Sequence, residues 1–182
     1  MNTNSPSIAE RDREFLFTGR DFEQVQKMIY VRAGISLNKS KQDMVYSRLA
    51  RRLRATGINN FKDYLALLEG DNEEEWEAFV NSLTTNLTAF FRESHHFPLL
   101  AEHALKQSKR HHIQLWCSAA STGEEPYSMA MTLVDAFGSF TPPVSIVASD
   151  IDTNVLVKAE AGIYPMERVE KLSPDMLKRF RL

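Results

Sequence analysis

The sequence predicts an α/β chain in two parts, a small all-helical domain followed by the start of a parallel-sheet domain. Three observations predict it. Apolar residues recur at helical spacing through the first half. Two compact apolar runs, Ile113 to Cys117 and Val144 to Ala148, alternate with helical patterns in the second half. Over 182 residues, 43% hydrophobic and 25% charged is the composition of a folded globular chain. A chain of this length withdraws roughly 70% of its unfolded surface from water, enough for a core without covalent staples.

The elements follow in order. Residues 1–20 mix Asn, Ser, Glu and Arg, with only Phe15-Leu16-Phe17 apolar, and are expected to be a flexible tail. Residues 21–84 form the helical domain. Asp21 can cap a helix in which Phe22, Val25, Met28 and Ile29 share a face, with Gly34 as its stop. Ser40 can open a second helix carrying Met44, Val45, Leu49 and Leu53, closed by Gly57. Asn60 can cap a third, with Phe61, Tyr64, Leu65 and Leu68 inside. A fourth runs from Asn72 to Leu83 around Trp76, Phe79, Val80 and Leu83, its acidic residues at the N-terminal turn where the helix dipole favours them.

Residues 85–182 change period. The first strand, Ile113 to Cys117, leads through small residues and Gly123 to a helix opened by Pro126 that carries Met129, Met131, Leu133 and Val134. Pro142-Pro143 breaks that helix before the second strand, which ends at Asp150. A further helix covers about Thr153 to Ala161, and Ser173-Pro174 opens the last one. Strand, turn, helix, strand, helix is the start of a parallel sheet, and two strands read as a fragment of one.

Charge and cysteine content exclude several classes. Lys plus Arg number 22 against 24 Asp plus Glu, a net −2, so no global basic excess points to nucleic acid. Cys117 is the single cysteine, which excludes an intramolecular disulfide framework and a CxxC zinc site. No secretory leader or 18-residue apolar run is visible, and a cytoplasmic chain without membrane insertion is the expectation. Locally the balance is uneven. From Ser36 to Gly57, Lys39, Lys41, Arg48, Arg51, Arg52 and Arg54 face one acid, Asp43. Glu69 to Glu77 then carries six acids and no base. The second helix is therefore expected to present a cationic outer face.

Three segments carry chemistry. In WCSAASTGEEPYS the small residues let a ligand approach the backbone at a helix N-terminus, but GxGxxG is absent. Glu124 and Glu125 stand where a pyrophosphate would lie, which repels phosphate and suits a cationic or hydroxyl-bearing ligand. In ASDIDT, Asp150 closes the second strand, where nucleoside-binding α/β domains place an acid on ribose hydroxyls; capping of the next helix by Asp150 or Asp152 is the alternative. Together these two signals favour S-adenosylmethionine over NAD. In LTTNLTAFFRE, three Thr, an Asn and an Arg around two Phe make a poor helix interior and read as an ordered loop facing a ligand. The five histidines lack the HExxH spacing, and no metal site is expected.

The runs NLTAFFRESHHF, WCSAASTGEEPYSMAM and ASDIDTNVL resemble the chemotaxis receptor methyltransferases, the CheR-type protein-glutamate O-methyltransferases, from about Asp21 to Leu182. The resemblance implies an all-helical N-terminal domain followed by the first part of a class I S-adenosylmethionine-dependent methyltransferase (Rossmann-like) domain. That family continues further, through strands and pocket residues not found in these 182. It implies S-adenosylmethionine binding by Asn86, Thr88, Arg92, Glu124 and Asp150, with S-adenosylhomocysteine as product and Arg92 nearest the reaction. It also implies that Arg48, Arg51, Arg52 and Arg54 meet the acidic helices of a methyl-accepting chemotaxis receptor. Two other readings stay open: a cofactor-binding, receptor-docking module without turnover, and a nucleic-acid methyltransferase suggested by the Arg-rich helix.

Overall fold

The computed structural model describes residues 13–109 and 111–180, and the chain divides after Thr84 into two compact units. Most of the expected tail, residues 1–12, lies outside the described residues. Its remainder is packed, because Phe15 and Phe17 are apolar enough to join the core: both are buried, and the Phe17 ring lies 4.4 Å from that of Phe61. Folded structure thus begins ahead of Asp21.

Among the described residues four α-helices build the first unit: α1 (Gly19–Ala33), α2 (Gln42–Thr56), α3 (Phe61–Leu68) and α4 (Glu73–Leu83). Thr18, not Asp21, caps α1. The Asp21 amide donates to Thr18 Oγ1 at 3.2 Å and its carboxylate accepts from the Thr18 amide at 2.7 Å, a reciprocal capping box. Ser40 is likewise not a cap. It lies in a 3-10 turn, Lys39–Lys41, whose entry is capped by Asn38. Asn60 and Asn72 cap α3 and α4 as the sequence suggests. Gly34 and Gly57 end α1 and α2 with left-handed φ values of 67° and 71°, which favour glycine. The core joins Phe22, Val25 and Ile29 to Val45, Leu49 and Leu53, then to Phe61, Tyr64, Leu65, Leu68, Phe79 and Leu83. Trp76 is half-buried at its margin.

The cationic outer face of α2 is only partly realised. Arg52 turns toward α4 and grips buried Glu75 with two bonds, Nε to Oε1 at 3.0 Å and Nη2 to Oε2 at 2.6 Å. Tyr64, wholly buried on α3, donates its hydroxyl to the same Oε1 at 2.7 Å. Arg48 donates to the carbonyls of Ser82 and Thr84 at the end of α4, and Arg54 pairs with Glu14. The reason is packing: α2 lies against α4, so Glu75 of the acidic block meets the basic helix inside the unit. Arg51 is exposed and, among the described residues, makes no ion pair.

The second unit begins with a loop and a turn, then α5 (His96–Gln107), which the periodicity did not reveal as a separate element. Strand β1 (Ile113–Cys117) runs parallel to β2 (Val144–Ala148), pairing Ile113 with Val144 and Cys117 with Ala148. The crossover between them is α6 (Glu124–Phe137), as a parallel pair requires. After β2 come α7 (Thr153–Ala161), a short α8 (Met166–Val169) and α9 (Pro174–Phe180). Ile113, Ala104 and Leu133 form the inner core, with Leu115, Val144 and Ile146 against it. Trp116 and Val147 point from the opposite sheet face and are 71% and 56% exposed. Among the described residues no helix is long and apolar enough to cross a membrane.

Glu75 is the hub of the first unit. Glu75→Ala strands the Tyr64 hydroxyl and Arg52 together, and should cost about 1–3 kcal/mol of stability in urea unfolding. Arg51→Ala, on the same helix, should stay within about 0.5 kcal/mol. Burial, reinforced by Glu75, holds the Tyr64 phenol well above its ordinary range. Its contribution is therefore fully present below the unfolded phenol's pKa of about 10 and is lost as pH rises further. Tyr64→Phe should flatten that alkaline loss.

Candidate functional site

The carboxyl ends of two parallel strands lie side by side, and the backbone ladder continues past them: Ser149 N donates to Cys117 O and Ala120 N to Ser149 O, both at 2.9 Å. That brings the segment after β2 against the turn after β1. Asp150 completes the tie. Its Oδ2 accepts the Ser121 amide at 2.8 Å and its Oδ1 the Asp152 amide at 2.9 Å. Each oxygen keeps a second lone pair for a ligand. Asp152, buried, caps α7 through the Asn154 amide at 3.0 Å. Of the two aspartates, Asp152 takes the capping role and Asp150 faces the turn after β1.

The loop ahead of α5 closes on the same place. Asn86 Nδ2 donates to Asp152 Oδ2 at 2.6 Å, and the Asn86 carbonyl accepts from Ser121 Oγ at 3.2 Å. Further along, the Phe91 amide donates to Ser128 Oγ at 2.9 Å, which holds the loop to the first turns of α6. Phe91, Glu93 and Ser121 are non-glycine residues with φ near +50°, at 52°, 53° and 49°. Among the described residues all such positions fall in these two segments, and backbone strain of this kind gathers where a site is built.

Gly123 opens α6 at φ 100°, and a Cβ there would come within 2.4 Å of the Tyr164 hydroxyl and 3.0 Å of Ala159 Cα. Only glycine fits. The residue after it, Glu124, is completely buried. Its Oε2 accepts from Thr122 Oγ1 at 2.6 Å, while Oε1 lies 3.2 Å from Arg168 Nη2 without the alignment of a hydrogen bond. Tyr164, on the way to α8, donates to the Thr122 carbonyl at 2.7 Å. Burial, with the charge of Glu124 next, keeps its phenol protonated well above the usual range.

Of the residues singled out from sequence, Asn86 and Asp150 are linked through Ser121 and Asp152, and Thr88 and Glu124 through Arg168. Arg92 stands apart from these four. It is exposed, donates to the Leu87 carbonyl at 2.8 Å, and borders a neighbouring cleft of about 440 Å³ with His96, Phe97, Glu125 and Met129. Sequence reasoning missed Ser121, Tyr164 and Arg168. Ser121 carried a faint signal as one of the small residues in the turn; the other two lie beyond the last motif.

Two parallel strands with carboxylates at both carboxyl ends, a glycine-opened helix and a loop folded back on them define an α/β domain of the nucleoside-cofactor type. Comparison with known proteins makes the class specific. Residues 86–182 match the CheR methyltransferase SAM-binding domain and residues 20–84 the CheR methyltransferase all-alpha domain. The chain belongs to the CheR methyltransferase family. It is 54% identical to chemotaxis protein methyltransferase 2 of Pseudomonas aeruginosa over 183 residues, covering 100% of this chain and 65% of that protein. It is 54% identical to the chemotaxis protein methyltransferase of Salmonella typhimurium, covering 99% and 64%, and 55% identical to that of Escherichia coli, covering 87% and 55%. The chain thus spans between 55% and 65% of the length of these relatives.

Cys117, at the end of β1, is buried with its thiol 3.6 Å from Glu125 Oε1. Burial first, then the Glu125 charge, pushes its pKa up to about 11. Iodoacetamide alkylation of the folded chain at pH 8.5 should be at least about tenfold slower than that of the unfolded chain, whose thiol titrates near 8.5. The folded rate should climb as pH approaches 11.

Proposed function

We propose that this chain binds S-adenosylmethionine in its second unit and serves the methylation of glutamate side chains on methyl-accepting chemotaxis receptors. The observation that carries this reading is the convergence of Asn86, Ser121, Glu124, Asp150 and Asp152 at the carboxyl ends of both strands, within the segment matching the family's SAM-binding domain. The residues fit such a group. Asp150 has lone pairs to accept ribose hydroxyls, and buried Glu124 has an oxygen without a hydrogen bond, suited to an ammonium. Gly123 lets Tyr164 and Ala159 pack directly on the turn, which holds Glu124 in its place.

When bound, S-adenosylmethionine supplies an electrophilic methyl on a sulfonium, so that a glutamate oxygen gains the methyl and sulfur keeps the bonding electron pair. A glutamate carboxyl, with a pKa of about 4.3, is already ionised near neutral pH. The protein therefore has no proton to remove, and its task is alignment and exclusion of water. Arg92 is read as orienting a carboxylate, of the cofactor or the substrate, from the edge of its cleft. A tight grip on the nucleophile would stabilise the ground state more than the transition state.

Titration of the 182-residue chain with S-adenosylhomocysteine in a calorimeter tests the binding half of this reading. One-site binding is expected, weakened about tenfold or more by Asp150→Asn, which removes a charged acceptor. Absence of binding by the correctly folded chain would refute it.

Receptor docking is proposed to run through Arg51, aided by exposed Lys39 and Lys41, because Arg48, Arg52 and Arg54 are engaged within the unit. Arg51→Glu should weaken binding to an acidic receptor helix in a salt-dependent way and leave stability and S-adenosylhomocysteine affinity unchanged. Arg52→Glu, by contrast, should lower the melting temperature. Equal receptor affinity for wild type and Arg51→Glu would exclude this docking surface.

A further inference from the structure

Glu124 presents an imbalance that the rest of the site does not resolve. Its side chain is 1% exposed, one oxygen accepts from Thr122, and among the described residues Arg168 is the cation beside the other. A buried carboxylate without a counter-charge is strongly disfavoured, and the Arg168 guanidinium is the cation the fold sets beside it. Yet Arg168 is a poor permanent partner. Its side chain is 45% exposed, its approach to Oε1 lacks hydrogen-bond alignment, and its other contact, Nη1 to the Thr88 carbonyl, is long at 3.4 Å.

The backbone places it there deliberately enough to matter. Tyr164 anchors the segment after α7 to the Thr122 carbonyl, and the Arg168 amide closes a turn on the Pro165 carbonyl at 2.9 Å. The Arg168 side chain then lies across two segments of the candidate site, the loop at Thr88 and the turn at Glu124. A ligand ammonium aligned on Glu124 Oε1 would compete with Arg168 Nη2 for that oxygen.

We propose that Arg168 is a displaceable counter-ion for Glu124, standing in for a ligand's ammonium group, and so sets how strongly the site selects ligands that carry one. This rests on the S-adenosylmethionine reading, since that cofactor's amino-acid end bears such a group. The logic is competitive. Without ligand, Arg168 and Glu124 neutralise each other. A ligand ammonium aligned on Oε1 replaces that contact and releases the guanidinium to water. A ligand without an ammonium either leaves Arg168 in place or strands Glu124, and gains nothing from this position. Because Arg168 is partly solvated, the ion pair that must be broken is of modest strength.

The test compares S-adenosylhomocysteine with its analogue lacking only the amino group, titrated into wild type, Arg168→Ala and Arg168→Lys in the 182-residue chain. Removing the competing cation should tighten S-adenosylhomocysteine about twofold to fivefold and leave the amino-free analogue unchanged. Arg168→Lys keeps the charge and should bind both ligands as wild type does. Circular dichroism of each variant confirms a folded chain, and a variant that does not fold would overturn the displaceable role in favour of a structural one. Selective weakening of S-adenosylhomocysteine by Arg168→Ala would mean that Arg168 contacts the ligand directly, and parallel changes for both ligands would mean a purely structural effect; either overturns the proposal. If wild type binds neither ligand, it is the S-adenosylmethionine reading that fails, and the inference with it.

Discussion

Asp150 sits one hydrogen bond from the turn that follows β1 and another from the segment that starts α7, and the geometry of the second unit depends on that double attachment. Two short parallel strands alone leave their carboxyl ends loosely related. Here a single carboxylate fixes Ser121 in a left-handed conformation against the end of β2. Ser121 in turn reaches the Asn86 carbonyl, and Asn86 reaches the Asp152 carboxylate, so three chain segments spread over 66 positions meet on a few hydrogen bonds, those to the aspartates charge-assisted. Gly123 and buried Glu124 then have fixed places, because the turn they belong to is held at its start.

The first unit rests on a similar device used for a different end. Glu75 gathers Arg52 and Tyr64 on its carboxylate, while its amide donates to the capping Asn72 Oδ1, in one cluster that joins α2, α3 and α4. Every polar atom of that carboxylate has a partner, which is the condition under which a buried charge is tolerated. The consequence for function is subtractive. A helix with four arginines in its C-terminal half offers fewer free charges than its sequence suggests, since three of them have partners within the unit. A partner with acidic helices then has Arg51, Lys39 and Lys41 to meet.

Much of this was legible in the sequence where local rules act alone. Asn60, Asn72, Gly34 and Gly57 mark helix ends as capping chemistry demands, and both strands fall on their apolar runs. Local rules failed where two good signals competed. Asp21 looked like a cap because it precedes Phe22, yet Thr18 three residues earlier forms the box with it. Phe15 and Phe17 looked like a short apolar accident in a polar tail, but a small helical core accepts them. The fates of Arg52 and Arg168 were invisible because each depends on a partner in another element, 23 residues away for Glu75 and 44 for Glu124. Periodicity places a residue on a face; it does not say which acid waits opposite.

The central claim is that the carboxyl ends of β1 and β2 hold the adenosyl cofactor. Amide resonances of the 182-residue chain, followed by nuclear magnetic resonance while S-adenosylhomocysteine is added, test it most directly. The account predicts that Asn86, Ser121, Glu124 and Asp152 shift together along one saturable curve, while Tyr64 and Glu75 stay in place. Shifts confined to the first unit, or spread without including Ser121 and Asp152, would contradict it.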